Sequence, residues 1–165
     1  MMSRAVCLLG CLVLCGHVCL AQAVTVDSVE AAAAAGKVEK AFALAAKLIE
    51  QEPDNRDALT LHGRLAMRCG AYQEAVGSFE AAQFFADTAE AATDLGDALL
   101  ELGRLNLALS SYRHALSLDD TIVEAHVGTG RALVQLGSDK SEARLCLESA
   151  LAIDKDSTDA LLALA

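Results

Sequence analysis

The sequence predicts an all-α protein assembled from about four stacked helix pairs and the start of a fifth. Three observations carry that expectation. Alanine and leucine supply 60 of the 165 residues while aromatic residues are only 4%, a balance that favours helix over sheet. Small and large apolar residues recur three or four apart, as in Leu59, Gly63 and Ala66, then Ala75, Phe79 and Ala82. That spacing gathers them on one helical face. Finally, independent series share one period. Gly36, Gly70, Gly103 and Gly137 are 34, 33 and 34 residues apart; Gly63, Gly96 and Gly130 are 33 and 34 apart; Ala41, Ala75, Ala108 and Ala143 are 34, 33 and 35 apart. Such a period marks a supersecondary unit that buries its apolar face only by stacking on its neighbours.

The first 23 residues stand outside this pattern. Arg4 is followed by an apolar run from Ala5 to Leu20 and then by Ala21-Gln22-Ala23, the small-x-small signature of a cleaved secretory signal peptide. The run is short of the ~20 residues a spanning helix needs, so cleavage after Ala23 is expected, with retention as a membrane anchor the alternative. Cleavage removes four of the six cysteines, leaving Cys69 and Cys146, and leaves 12 basic against 23 acidic residues, a net charge of −11. That acidity argues against nucleic acid and against anionic membrane surfaces as partners, both of which attract basic footprints.

The mature chain then divides into units of approximately 24–54, 55–88, 89–122 and 123–157, with a stub at 158–165. The expected helices are 28–35 with 38–51, 55–69 with 72–85, 88–102 with 105–118, and 122–136 with 140–153. The glycine between the two helices of each pair supplies the turn, where a positive φ is needed. Asp27 and Glu30 have capping-box spacing at the first helix. Gly63, Gly96 and Gly130 are expected to make room at the helix crossing for Phe79, Tyr112 and Leu147. The stub ends in Ala160-Leu161-Leu162-Ala163-Leu164-Ala165, an apolar edge that invites docking or self-association.

No catalytic or metal-binding constellation emerges. His62, His114 and His126 have no second ligand at metal spacing, and no nucleophile or phosphate-loop motif occurs. Catalytic, cofactor and metal sites are therefore all expected to be none. Cys69 and Cys146 lie two units apart, too far for an internal disulfide, and read as buried free thiols.

These residues resemble the tetratricopeptide repeat (TPR) family. The resemblance rests on Leu59, Gly63, Ala75, Phe79 and Ala82; on Leu95-Gly96, Leu99, Ala108, Tyr112 and Ala115; and on Gly130, Leu133, Ala143, Leu147 and Ala150. The family's terminal proline is kept only at Pro53, with Asp87, Asp120 and Lys155 at the equivalent places, which implies looser termination. His62 and Thr129 stand where the family prefers leucine. The resemblance implies a right-handed superhelical solenoid whose first helices line a concave groove for a peptide or protein. Groove-facing positions would be Thr60, Arg64 and Met67, then Thr93, Asp97 and Leu100, then Val127, Arg131 and Val134. Arg64, Asp97 and Arg131 would form a column of alternating charge, either self-neutralised or clamping a carboxylate.

The expected function is a non-enzymatic protein-interaction module, secreted or periplasmic, that assists complex assembly. Two alternatives remain at this stage: a structural subunit self-associating through residues 158–165, or the accessory repeat region of a longer enzyme.

Overall fold

The computed structural model describes residues 24–138 and 140–164; the expected signal peptide lies outside them. Nine helices and no strand occur among the described residues: α1 (Val26–Ala34), α2 (Val38–Gln51), α3 (Arg56–Arg68), α4 (Tyr72–Phe85), α5 (Ala89–Glu101), α6 (Leu105–Leu118), α7 (Val123–Gln135), α8 (Lys140–Ile153) and α9 (Thr158–Leu164). Each packs on its neighbours in chain order, so the pairs stack into a solenoid. No described helix is long and apolar enough to cross a membrane.

The turn within each pair is one device used four times. At Gly70, φ is +74°, a region open to glycine without steric cost. Gly70 N–H donates to the Met67 carbonyl at 3.1 Å and Ala71 N–H to that of Ala66 at 2.9 Å, satisfying two carbonyls left over at the end of α3. The same two bonds recur around Gly36, Gly103 and Gly137.

Side-chain caps close the starts of α1, α3 and α5, whereas Ile122 at the start of α7 supplies none. Asn55 and Thr88 accept hydrogen bonds from the backbone N–H groups of Ala58 and Ala91. At α1 the expectation of Asp27 and Glu30 as the capping pair is wrong. Thr25, in extended backbone, accepts from Ser28 N–H while Ser28 Oγ accepts from Thr25 N–H. The helix therefore begins two residues early and Asp27 falls within its first turn, where an acidic residue favours the helix dipole. The loops that lack the family's proline are closed by aspartates instead. Asp87 accepts from Gln83 at 3.1 Å and meets His114 Nε2 at 2.7 Å, and Asp119 accepts from Thr121 N–H at 2.8 Å.

The core is built by small residues facing large ones. A Cβ on Gly63, Gly96 or Gly130 would stand 2.5, 2.6 and 2.8 Å from Phe79, Tyr112 and Leu147 respectively. These glycines therefore permit each crossing. In the first unit the code is reversed. Val29 occupies the glycine's place and Ala45 the aromatic's, and both are fully buried in one cluster.

Two polar substitutions in the core are satisfied locally. His62 stacks on Phe42 with ring centroids 4.8 Å apart, and its Nδ1 lies 2.7 Å from Ser78 Oγ. Ser78 in turn donates to the Glu74 carbonyl, so the imidazole N–H donates to Ser78. Thr129 Oγ1 donates to the Ala125 carbonyl at 2.7 Å. The expectation of two buried thiols is corrected: Cys69, at the C-terminal cap of α3, is exposed, and Cys146 is half-buried. Both are free.

Candidate functional site

The solenoid has an inside, and the odd-numbered helices form it. Across unit boundaries α3 touches α5, α5 touches α7 and α7 touches α9, whereas no two even-numbered helices approach as closely among the described residues. The stack therefore bends toward the odd-numbered helices, and their outer faces line a groove.

Two hollows lie along that groove. The larger, about 530 Å³, is walled by Val26 and Glu30 of α1, by Arg56, Asp57, Thr60, Leu61 and Arg64 of α3, and by Glu90, Ala91 and Asp94 of α5. The smaller, about 120 Å³, lies between Asp97 of α5, Glu124, Val127 and Arg131 of α7, and Asp159 of α9.

The nine residues expected on the groove divide in three ways. Thr60, Arg64, Asp97 and Arg131 line the hollows. Thr93, Leu100 and Val127 are buried, although Val127 also borders the smaller hollow. Thr93 Oγ1 is turned into its own helix, donating to the Ala89 carbonyl at 2.8 Å. Leu100 belongs to the central core, because α5 is packed between α4, α6 and α7 and buries nine residues. Met67 is half-buried against the core, and Val134 is exposed but borders neither hollow.

The charges in the groove do not pair as the sequence suggested. Arg64, Asp97 and Arg131 occupy equivalent places, yet Arg64 binds Asp94, with Nη2 to Oδ2 at 2.9 Å, and Arg131 reaches Glu101 at 3.8 Å. Asp97 instead accepts a 2.7 Å hydrogen bond from the Tyr112 hydroxyl. Burial pushes the Asp97 carboxyl up to about 6, against the pull of that hydrogen bond, with the nearby Asp94 raising it further. Burial also raises Asp94, offset in part by Arg64. Burial and the Asp97 charge hold the Tyr112 phenol well above its ordinary range.

The link from Tyr112 to the groove depends on Gly128. A Cβ at Gly128 would also overlap the Tyr112 ring. The ring thus lies against two glycines, Gly96 of α5 and Gly128 of α7, while its hydroxyl reaches Asp97. Sequence reasoning missed this, as it missed Glu30, Asp57, Glu90, Asp94, Glu124 and Asp159. A signal for part of that set was present, since Asp57, Glu90, Glu124 and Asp159 are 33, 34 and 35 residues apart.

No group of three or more potential metal ligands occurs among the described residues. What the site offers is an extended polar trough lined by carboxylates and arginines.

Comparison with known proteins agrees with the fold. Two consecutive stretches, residues 26–92 and 93–160, match the tetratricopeptide repeat family. No curated protein sequence matches the chain. A crystal structure of MamA is similar with a TM-score of 0.77 at 20% identity, covering 86% of this chain and 82% of that one. MamA 41-end from Desulfovibrio magneticus RS-1 is similar with a TM-score of 0.73 at 20% identity, over 80% of this chain and 75% of that one. YrrB, described as a TPR protein with an unusual peptide-binding site, has a TM-score of 0.69 at 23% identity, over 83% of this chain and 71% of its own. With the period, the inter-helix glycine turns and the family match in agreement over most of the chain, the protein belongs to the tetratricopeptide repeat family.

Proposed function

We propose that this protein is a non-enzymatic interaction module that holds a peptide or an extended segment of a partner protein in the groove of α1, α3, α5, α7 and α9. The observation that carries the reading is the larger hollow, which three successive units build together and which Thr60 and Arg64 line. A trough spanning several units fits a chain better than a compact small molecule. The peptide-binding description of YrrB supports the same reading. We further propose a secretory or periplasmic address, on the strength of Met1–Ala23, with retention as a membrane anchor as the alternative.

The groove is tested by filling it. Thr60→Trp places an indole in the larger hollow, and peptides selected by display against the unmodified protein should lose binding to the variant. Selected peptides that bind both proteins equally would place recognition elsewhere. Amino-terminal sequencing of the protein recovered from its native compartment tests the address, with Val24 the expected first residue.

A second reading has its own observation. On α9, Leu161 and Leu162 are exposed, an apolar face suited to a second copy. Under this reading mass rises with concentration, and Leu161→Lys/Leu162→Lys abolishes the rise; a concentration-independent mass excludes it.

A further inference from the structure

Asp57, Glu90, Glu124 and Asp159 stand at equivalent places in the first turns of α3, α5, α7 and α9. An acidic residue there favours its helix dipole, and that alone would account for its presence. It does not account for the charge of the groove. All four residues border the two hollows, with Glu30, Asp94 and Asp97 alongside. Three arginines share the space, and each is already engaged: Arg56 with Asp57, Arg64 with Asp94, Arg131 with Glu101. Each hollow is left with two more carboxylates than cations among its lining residues. Behind the row, Asp94 and Asp97 are held partly out of water, which raises both carboxyls. A positive charge brought into the groove would stabilise their ionised forms; a negative one would have to pull Arg64 away from Asp94.

The spacing adds a constraint. Packed helices lie ~8–10 Å apart, so the row presents one carboxylate about every 10 Å. An extended chain advances ~3.3 Å per residue, so about three residues separate successive carboxylates.

We propose that the groove reads positive charge: its occupant is an extended segment with a lysine or arginine at about every third residue, one cation for each repeat unit. This rests on the groove being the binding face, and the test separates the two ideas.

The probes are fluorescently labelled twelve-residue synthetic peptides, read by anisotropy at two salt concentrations. One repeats Lys-Ser-Ala, one repeats Glu-Ser-Ala, and one has the composition of the first with its four lysines in a block. The spaced lysine peptide should bind most tightly and weaken as salt rises. The triple variant Asp57→Asn/Glu90→Gln/Glu124→Gln should lose roughly 10-fold in affinity for it. The control variant Glu39→Gln/Glu50→Gln/Glu80→Gln, which removes as much charge from exposed positions of α2 and α4, should stay within about twofold, since distant exposed charges are screened. Melting curves of both variants establish that they are folded.

Equal binding of spaced and blocked lysines, or equal losses in the two variants, would reduce the effect to the chain's overall acidity and overturn the proposal. If display instead selects acidic or apolar peptides that Thr60→Trp excludes, the charge reading fails while the groove stands. If Thr60→Trp excludes nothing, the groove reading itself fails.

Discussion

Replacing Gly96 by alanine adds one methyl group at the centre of the array, and the structure sets the sign of its effect. The new Cβ would stand 2.6, 2.7 and 2.9 Å from three carbons of the Tyr112 ring, well inside van der Waals contact. The ring is completely buried, is also in close contact with Gly128 of α7, and is tethered through its hydroxyl to Asp97. Overpacking at such a site costs about 3 kcal/mol, the upper part of the usual range. Alanine returns ~1 kcal/mol in helix propensity, so the net loss is about 2 kcal/mol. For a chain of this size that lowers Tm by roughly 4–8 °C. The control is Gly77→Ala on α4, where an added Cβ meets nothing within 4 Å and propensity alone should raise stability by up to ~1 kcal/mol. Thermal and urea melts of both variants give the comparison. If Gly96→Ala is as stable as Gly77→Ala, the small-against-large crossing does not organise this core.

Three further outcomes follow from single residues. Asp97 is raised to about 6 in the folded state. The folded chain therefore holds an extra proton between the ordinary carboxylate range and pH 6, and stability falls as pH rises through that window. Asp97→Asn, which keeps an acceptor for Tyr112, should raise Tm at pH 7.5 and lose that advantage near pH 4; equal gains at both pH values would refute the assignment. Burial lowers the His62 pKa despite Glu74, so the unfolded chain binds the extra proton and stability is lost as pH falls below the ordinary histidine range. His62→Leu should leave Tm at pH 5 less depressed relative to pH 8 than in the parent. Thr25→Ala should cost ~1 kcal/mol, seen as faster amide hydrogen exchange confined to α1; unchanged exchange there would exclude Thr25 as the cap.

The period was legible because glycine at positive φ recurs in all four units and glycine under a large apolar side chain in three of them, and both places are hard for another residue to fill. Exposure was less legible, because equivalent places do not have equivalent neighbours. Thr60 borders open space, whereas Thr93, one unit later, is buried on a helix flanked on several sides. A helix period locates a face, but the amount of that face left open depends on how the next unit leans on it. The charge partners were hidden for a related reason. Arg64 and Asp97 share a register, yet the guanidinium reaches Asp94, one turn earlier on α5. A long side chain selects its partner by reach and burial, and these follow from the stacking geometry.

The set of Tyr112, Gly128 and Asp97 shows how a repeat departs from its own rule for a reason. The places equivalent to Gly128 hold Leu61 and Asp94, both with a Cβ, and the ring equivalent to Tyr112 in the preceding unit is Phe79, which has no hydroxyl to direct. Where tyrosine enters the series, α7 lacks a side chain at the place that meets the ring, and a carboxylate stands 2.7 Å from the phenol at the groove surface. The three changes are useful only together. Tyrosine without Gly128 has no room, Gly128 without the ring leaves a void at a unit boundary, and Asp97 without the phenol is a desolvated carboxylate lacking its strongest donor. This argues for coupling rather than addition. Gly128→Ala and Tyr112→Phe should each destabilise the protein. In the double variant the ring is no longer tethered to Asp97 and can shift from the new methyl, so the combined loss should fall short of the sum by more than ~0.5 kcal/mol. A strictly additive double variant would mean that the glycine and the hydroxyl serve separate ends.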